Sequence, residues 1–139
     1  MEAERIFAPV LALVGWTLLV LLTIPFARFK AGFAGKITPR DFTYGESARV
    51  PDQTRIPNRH YMNLLEAPLL FYVVCVIMVL TQRVDDTAVM LAWAYFCLRM
   101  LHSLIHMTYN HVLHRLGVFA TSTLVLGVIW ARLVLQLAT

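Results

Sequence analysis

Four long apolar segments decide what this chain of 139 residues can fold into. They cover about residues 6–27, 59–81, 87–109 and 114–137. A helix needs roughly 20 such residues to cross a bilayer, and none of the segments alternates as a barrel strand does. The chain is 59% hydrophobic and 14% charged, whereas soluble domains have about 45–50% and about 25%. The sequence therefore predicts an all-α integral membrane protein.

The connections predict how these helices are arranged. The second and third gaps are short, which makes the helices on either side antiparallel neighbours. The first gap, residues 28–58, is long, polar and rich in glycine and proline. We predict a loop there, and both short helical pieces and a cover over the end of the bundle fit its composition. The expected architecture is an antiparallel bundle of four transmembrane helices in a single domain over residues 1–139.

Lysine and arginine are distributed unevenly between the two ends of this bundle. Eight lie in or beside the first loop or the third connection: Arg28, Lys30, Lys36, Arg40, Arg49, Arg55, Arg59 and Arg115. The opposite end has Arg5, Arg83 and Arg132. Because positive loops stay in the cytoplasm, this predicts a cytoplasmic first loop with both termini outside. The formal net charge of +4 thus reflects topology, and no nucleic-acid partner is expected.

Glu66 and Arg99 are ionisable residues inside the predicted second and third spans. A charge within a membrane costs about 2.5–3.5 kcal/mol on insertion scales and usually marks a functional site. Since the two charges are opposite and a buried unpaired charge is costly, we predict that they form an ion pair. That pair is compatible both with a purely structural role and with the wall of a polar site.

Further polar residues extend this pattern along one face of each helix. They are Arg59, Asn63 and Glu66 on the second helix, and Arg99, His102 and His106 on the third. Spacings of three, four and seven residues place side chains on one helical face. If the two faces meet, they form a hydrophilic slot that opens at the basic end. The alternative is a set of interhelical hydrogen bonds without a ligand, each worth about 0.6–2 kcal/mol.

Histidine spacing also suggests a metal site. His102 and His106, and likewise His111 and His114, are placed to present two imidazoles on one face. The chain has only five histidines, and carboxylate ligands near them are absent from the sequence. A metal-dependent oxidase is therefore the weaker alternative, and no metal is predicted. Phosphate-binding glycine motifs and a nucleophile elbow are also missing.

Two stretches of this sequence resemble a known family. One is NRHYMNLLEAP at residues 58–68, and the other is LRMLHSLIH at residues 98–106, followed by Arg115. Both are similar to the membrane-associated proteins in eicosanoid and glutathione metabolism, the MAPEG family, and most closely to its bacterial branch. The four spans and the long basic first loop agree with that family, so the resemblance covers nearly the whole chain.

The resemblance implies a left-handed four-helix bundle that assembles as a homotrimer, here in a bacterial inner membrane and among membrane lipids. In catalytic members, glutathione binds as a co-substrate between neighbouring subunits, and the second substrate is a hydrophobic small molecule. The implied function is a glutathione-dependent transferase or peroxidase acting on hydrophobic electrophiles or lipid hydroperoxides. That chemistry needs no metal.

The resemblance also implies roles for individual residues. The positions that match glutathione contacts are Arg28, Asn63, Glu66, Arg99, His102 and His106, to which the polar face of the second helix adds Arg59. Arg28 resembles an arginine supplied by the adjacent subunit. Arg115 resembles the arginine that stabilises the glutathione thiolate, since a nearby cation lowers the pKa of a thiol.

Three positions depart from the family pattern. Met62 stands where glutathione-using members often have a basic residue, while Phe119 and His106 each replace a tyrosine. The family also includes a member that binds lipid without catalysis, so membership does not fix activity. The alternative function is therefore a non-catalytic membrane protein of the same fold that binds a lipid or a partner.

Overall fold

Four helices account for most of the structure, a computed structural model that describes residues 3–139. Their bounds are Phe7–Phe33 (α1), Asp52–Leu80 (α2), Asp86–Met107 (α3) and Val112–Ala138 (α4). Short 3-10 turns occupy Ala3–Ile6 and Pro39–Phe42. All four helices are long and apolar enough to cross a membrane, and the part of the chain that is described contains no strand. The predicted four-helix membrane fold is confirmed.

The predicted loop over residues 28–58 was wrong at both ends. α1 continues to Phe33, and α2 already begins at Asp52, directly after Pro51 in extended conformation. We predicted a loop because these stretches are polar. A helix that extends beyond the hydrocarbon region of the membrane can be polar, however, because water hydrogen bonds to its polar side chains. An aspartate in the first turn of α2 is also favourable, since the helix dipole is positive there.

Buried residues form one stripe on each helix. On α1 they are Pro9, Leu13, Thr17, Val20, Ile24 and Ala31, at the spacing of three, four and seven residues that one helical face requires. Matching stripes on the other helices join them in a common core that includes Leu64, Phe71 and Tyr95. The opposite faces carry exposed leucines and phenylalanines, as expected of a surface that contacts lipid tails.

Ion pairs tie three helix ends together at one end of the bundle. Arg5 pairs with Asp86 at 2.8 Å, and Arg132 pairs with Asp85 at 2.6 Å. Asp85 also caps α3 by accepting a hydrogen bond from the backbone N–H of Ala88 at 2.7 Å. Because neighbouring helices run antiparallel, the α3–α4 connection lies at the other end, together with the loop between α1 and α2.

Asp41 organises that loop. The residue is 5% exposed, and its carboxylate accepts hydrogen bonds from the backbone N–H of Thr38 and the hydroxyl of Ser47, both at 2.7 Å. These bonds favour the ionised form and lower the pKa of Asp41, the one to Thr38 most. A small apolar cluster of Ala31, Ile37, Val50 and Phe42 lies in the same region. The loop is therefore a packed element.

Candidate functional site

Arg99 is the most deeply buried charged side chain of the bundle. It has no exposed surface, and its Nη2 donates a hydrogen bond to the backbone oxygen of Asn63 at 3.0 Å. Nε and Nη1 are buried and find no partner within residues 3–139. A buried cation that is neither paired nor fully hydrogen bonded is costly. The arrangement leaves two donors free for an anion.

The predicted ion pair between Glu66 and Arg99 was wrong. The ion pairs within the described chain are Arg5–Asp86, Arg28–Glu46 and Arg132–Asp85. Glu66 is exposed, whereas Leu64 and Pro68 on the same helix are buried. Two residues correspond to about 200° around a helix, so Glu66 points away from the core that holds Arg99.

Two pockets at the basic end of the bundle contain most of the predicted site. One, of about 290 Å³, is lined by Arg59, Asn63, His106 and Arg115 together with Ile56, Asn58, Met62 and Asn110. The other, of about 230 Å³, is lined by Asn63, His102 and Arg115 together with Val112, Leu116 and Phe119. Asn63 and Arg115 belong to both pockets. Five of the eight predicted site residues therefore come together.

Phe119 connects Arg99 to these pockets. The guanidinium carbon of Arg99 lies 5.6 Å from the centroid of the Phe119 ring, and the His102 ring is 5.8 Å from the same centroid. Because Phe119 and His102 both line the smaller pocket, the charge of Arg99 lies directly behind its wall. An anion bound there would be within the electrostatic reach of two arginines, Arg99 and Arg115.

Arg115 is held in place by the α3–α4 connection. Its Nη1 donates a hydrogen bond of 2.8 Å to the side-chain oxygen of Asn110. Asn110 has a φ of 48°, in the left-handed region that asparagine tolerates better than most residues. This turn places the half-buried guanidinium of Arg115 in the wall of both pockets.

A buried polar chain beside the pockets was missed from the sequence. The indole N–H of Trp16 donates to the hydroxyl of Ser103 at 2.9 Å, and that hydroxyl is hydrogen bonded to Nε2 of His60 at 2.7 Å. Three helices are joined in this way. His60 could have been found, because it precedes the buried Leu64 by one helical turn.

His60 also contacts the two predicted histidines. Its ring centroid is 5.9 Å from that of His102 and 5.0 Å from that of His106. The Nδ1 atoms of all three rings are buried without a hydrogen-bond partner in the described chain. Within residues 3–139, no group of three or more His, Cys, Asp or Glu side chains is placed so that it could hold a metal ion.

Arg28 lies apart from the two pockets. It pairs with Glu46 at 3.4 Å, and its guanidinium carbon lies 4.5 Å from the centroid of the Phe42 ring. Within one chain it therefore belongs to the α1–α2 loop. Its predicted role at the site of an adjacent subunit stays a prediction.

Comparison with known proteins gives one match. The family model of the MAPEG family matches residues 6–135. No curated protein and no solved structure matches the chain. The matched range includes the helices and connections that form both pockets.

Proposed function

Because the chain belongs to the MAPEG family, we propose that it is a glutathione-dependent transferase or peroxidase that works as a homotrimer in a bacterial inner membrane. The second substrate is a hydrophobic electrophile or a lipid hydroperoxide that reaches the site from the bilayer. The observation that supports this proposal best is Arg99, a fully buried cation with two unpartnered donors behind the wall of a polar pocket.

Glutathione would supply the negative charge that the two pockets beside Arg99 lack. The tripeptide has two carboxylates, and a guanidinium forms strong, charge-assisted hydrogen bonds with a carboxylate. Arg59 lines the larger pocket and would hold one carboxylate. Arg99 lies behind the Phe119 ring and would hold the other once that ring turns aside. Asn63 and the imidazoles of His102 and His106 complete the wall. With the basic first loop assigned to the cytoplasm, the pockets would open on the side of the membrane where the thiol is available.

Two predicted residues fit this proposal only in an assembly. Glu66 is exposed on α2 and Arg28 lies near the loop after α1, so neither reaches the pockets within one chain. In a homotrimer a neighbouring copy would bring its Arg28 to the bound tripeptide. Glu66, on the outer face of α2, would then meet the ammonium group of glutathione at the boundary between copies.

Arg115 is the residue we assign to catalysis. A guanidinium beside the sulfur stabilises the thiolate, which is the reactive nucleophile, and the thiol proton leaves to water. In transfer, the thiolate forms a carbon–sulfur bond as the leaving group departs with its electron pair. In peroxide reduction, two thiols are oxidised to one disulfide while the hydroperoxide is reduced to an alcohol and water.

The test is conjugation of 1-chloro-2,4-dinitrobenzene with glutathione by the purified protein in liposomes. We expect turnover, and Arg115→Ala should lower kcat/KM by about a hundredfold, as expected for loss of a group that stabilises developing charge. Arg83→Ala, at the opposite end of the bundle, is the control and should retain full activity. A folded trimer that turns over neither glutathione nor related thiols would contradict the proposal.

The second candidate is a non-catalytic protein that binds a lipid or a partner. It is favoured by Phe119, whose apolar ring covers Arg99 on the pocket side, and by Met62 in the wall of the other pocket. In that case glutathione would leave the melting temperature unchanged, and Arg115→Ala would alter no activity.

A further inference from the structure

A third pocket lies between the end of α1 and the start of α2, apart from the site around Arg115. Its volume is about 310 Å³, within the range of about 300–1,000 Å³ that is typical of small-molecule sites. It shares no lining residue with the two pockets described above. Arg28 is not part of its wall either, because Phe26 and Lys30 line the pocket and a separation of two residues is about 200° around a helix.

Lys30 and Lys36 give this pocket a positive charge. Neither lysine belongs to the ion pairs within residues 3–139, and the wall of the pocket contains no aspartate or glutamate. Asp52 adjoins the wall in sequence, but it is exposed and does not line the pocket. Both ammonium groups are therefore available to an anion.

The first turn of α2 forms the opposite wall and also favours an anion. Gln53 and Thr54 line the pocket, and the N-terminus of a helix attracts negative charge through its dipole and its free N–H groups. Thr54 is 5% exposed, and its hydroxyl forms no hydrogen bond within residues 3–139, whereas the similarly buried Thr17 donates to the carbonyl of Leu13. An oxygen of a ligand in the pocket would supply the missing partner, since an unsatisfied buried hydroxyl is unfavourable.

The remaining wall is apolar and extends towards the membrane. It consists of Phe26, Ala27, Ala31 and Ala34 on α1, a helix that is long and apolar enough to cross the bilayer. Phe26 precedes Lys30 by about one helical turn, so it lies deeper in the hydrocarbon, and it is 73% exposed. An apolar wall that leads up to two cations matches a molecule with a hydrocarbon chain and an anionic head. Basic pockets between transmembrane helices are typical sites for anionic headgroups.

We propose that this pocket binds an anionic phospholipid, with its phosphate at Lys30, Lys36 and Thr54 and one acyl chain along Phe26. A free phosphate would meet the same cations but leave the apolar wall uncovered. A zwitterionic lipid would bring its own cation into a positive pocket. The proposal does not rest on the thiol chemistry proposed above, because the pockets share no lining residue.

The two lysines can be neutralised without disturbing the core, since both are exposed. The variant Lys30→Gln/Lys36→Gln removes both cations from the wall. The matched control is Arg40→Gln/Arg49→Gln, which removes two exposed cations of the same loop that line none of the three pockets. Because the two double variants have the same net charge, a difference between them reports on the pocket and not on the charge of the whole loop.

The experiment is native mass spectrometry of the full-length protein, released from detergent that contains equal amounts of dioleoyl phosphatidylglycerol and dioleoyl phosphatidylcholine and no glutathione. Wild type and Arg40→Gln/Arg49→Gln should retain phosphatidylglycerol preferentially. In Lys30→Gln/Lys36→Gln, the ratio of phosphatidylglycerol to phosphatidylcholine adducts should fall about twentyfold, since each cation beside a membrane contributes a factor of about five. Glycerol 3-phosphate at the same concentration should not displace the lipid, because it has no acyl chain to cover Phe26.

Three results would overturn the proposal. One is equal retention of the two lipids by wild type. Another is the same ratio of adducts in the two double variants, which would show that the lipid responds to the charge of the loop as a whole or to neither pair of cations. The third is displacement of phosphatidylglycerol by glycerol 3-phosphate, which would show that the pocket takes a free phosphate.

Discussion

Replacing Arg99 with methionine should raise the stability of the ligand-free protein, even though it removes the largest fully buried side chain. Methionine is similarly long and unbranched, and it adapts to irregular space. The substitution removes a buried charge whose Nε and Nη1 have no partner within the described residues. Arg99 therefore lowers the stability of the protein, and we attribute its presence to a function in binding.

The expected gain is the difference between two sets of contributions. The substitution loses a charged hydrogen bond to the Asn63 carbonyl, worth about 1.5–3 kcal/mol, and a cation–π contact with Phe119, worth about 0.5–2 kcal/mol. It also removes the desolvation penalty of a buried unpaired ion, which is several kcal/mol and already includes the two donors without partners. The net effect should be a stabilisation of about 1–3 kcal/mol, or roughly 3–10 °C in Tm.

The assay is a thermal melt of the purified protein in detergent, followed by tryptophan fluorescence and without any thiol. The control is Arg132→Met, which breaks a partly exposed pair with Asp85 and should cost at most about 1 kcal/mol. The two variants should therefore move Tm in opposite directions. If Arg99→Met lowered Tm by several degrees, Arg99 would have an anionic partner in the ligand-free protein, and our reasoning would be wrong.

Two further predictions concern the interior and the loop. Ser103→Ala leaves the indole of Trp16 and Nε2 of His60 buried without a partner, so it should destabilise the protein by about 2–4 kcal/mol. Ser122→Ala is the matched control: this buried hydroxyl donates only to a carbonyl of its own helix, and equal losses in the two variants would contradict the role of the polar chain. Because the pKa of Asp41 is lowered in the folded state, its contribution should be complete above the ordinary pKa of about 4 and disappear as the pH falls through the folded value. The protection of residues 34–51 from hydrogen exchange should thus be constant from pH 7 to 5 and fall below about pH 4. In Asp41→Asn, the same residues should be poorly protected at every pH. If that variant were protected like wild type at pH 7, the role of Asp41 would be refuted.

The sequence was sufficient for the fold because the membrane imposes a simple rule. Long apolar segments have to be helices where no water can satisfy the backbone, and short connections fix their order. The same rule does not predict the secondary structure of those parts of the chain that lie outside the hydrocarbon region of the membrane. That is why residues 28–33 and 52–58 were taken for loop although the structure continues both helices through them.

Which of the predicted site residues lie together follows from helical periodicity, while their role in binding stays a prediction. Asn63, His102, His106 and Arg115 line the pockets, as their spacing and the resemblance indicated. The prediction that Glu66 faces the interior was wrong. Glu66 lies seven residues after Arg59, and we took that spacing to place both on the inward face of α2. The inward face is instead formed by His60, Leu64 and Pro68. Opposite charge suggested Glu66 as the partner of Arg99, but Glu66 lies on the exposed side of α2 and cannot reach it.

The most direct test of the central claim is a calorimetric titration of glutathione into the protein in lipid nanodiscs. Our account predicts saturable binding by wild type, with Kd raised at least about tenfold in Arg99→Met, since a charged hydrogen bond is worth about 1.5–3 kcal/mol. The diethyl ester of glutathione, in which both carboxylates are masked, should not bind. Unchanged binding of glutathione by Arg99→Met, or equal binding of the acid and the ester by wild type, would contradict the claim that Arg99 is kept buried to receive a carboxylate.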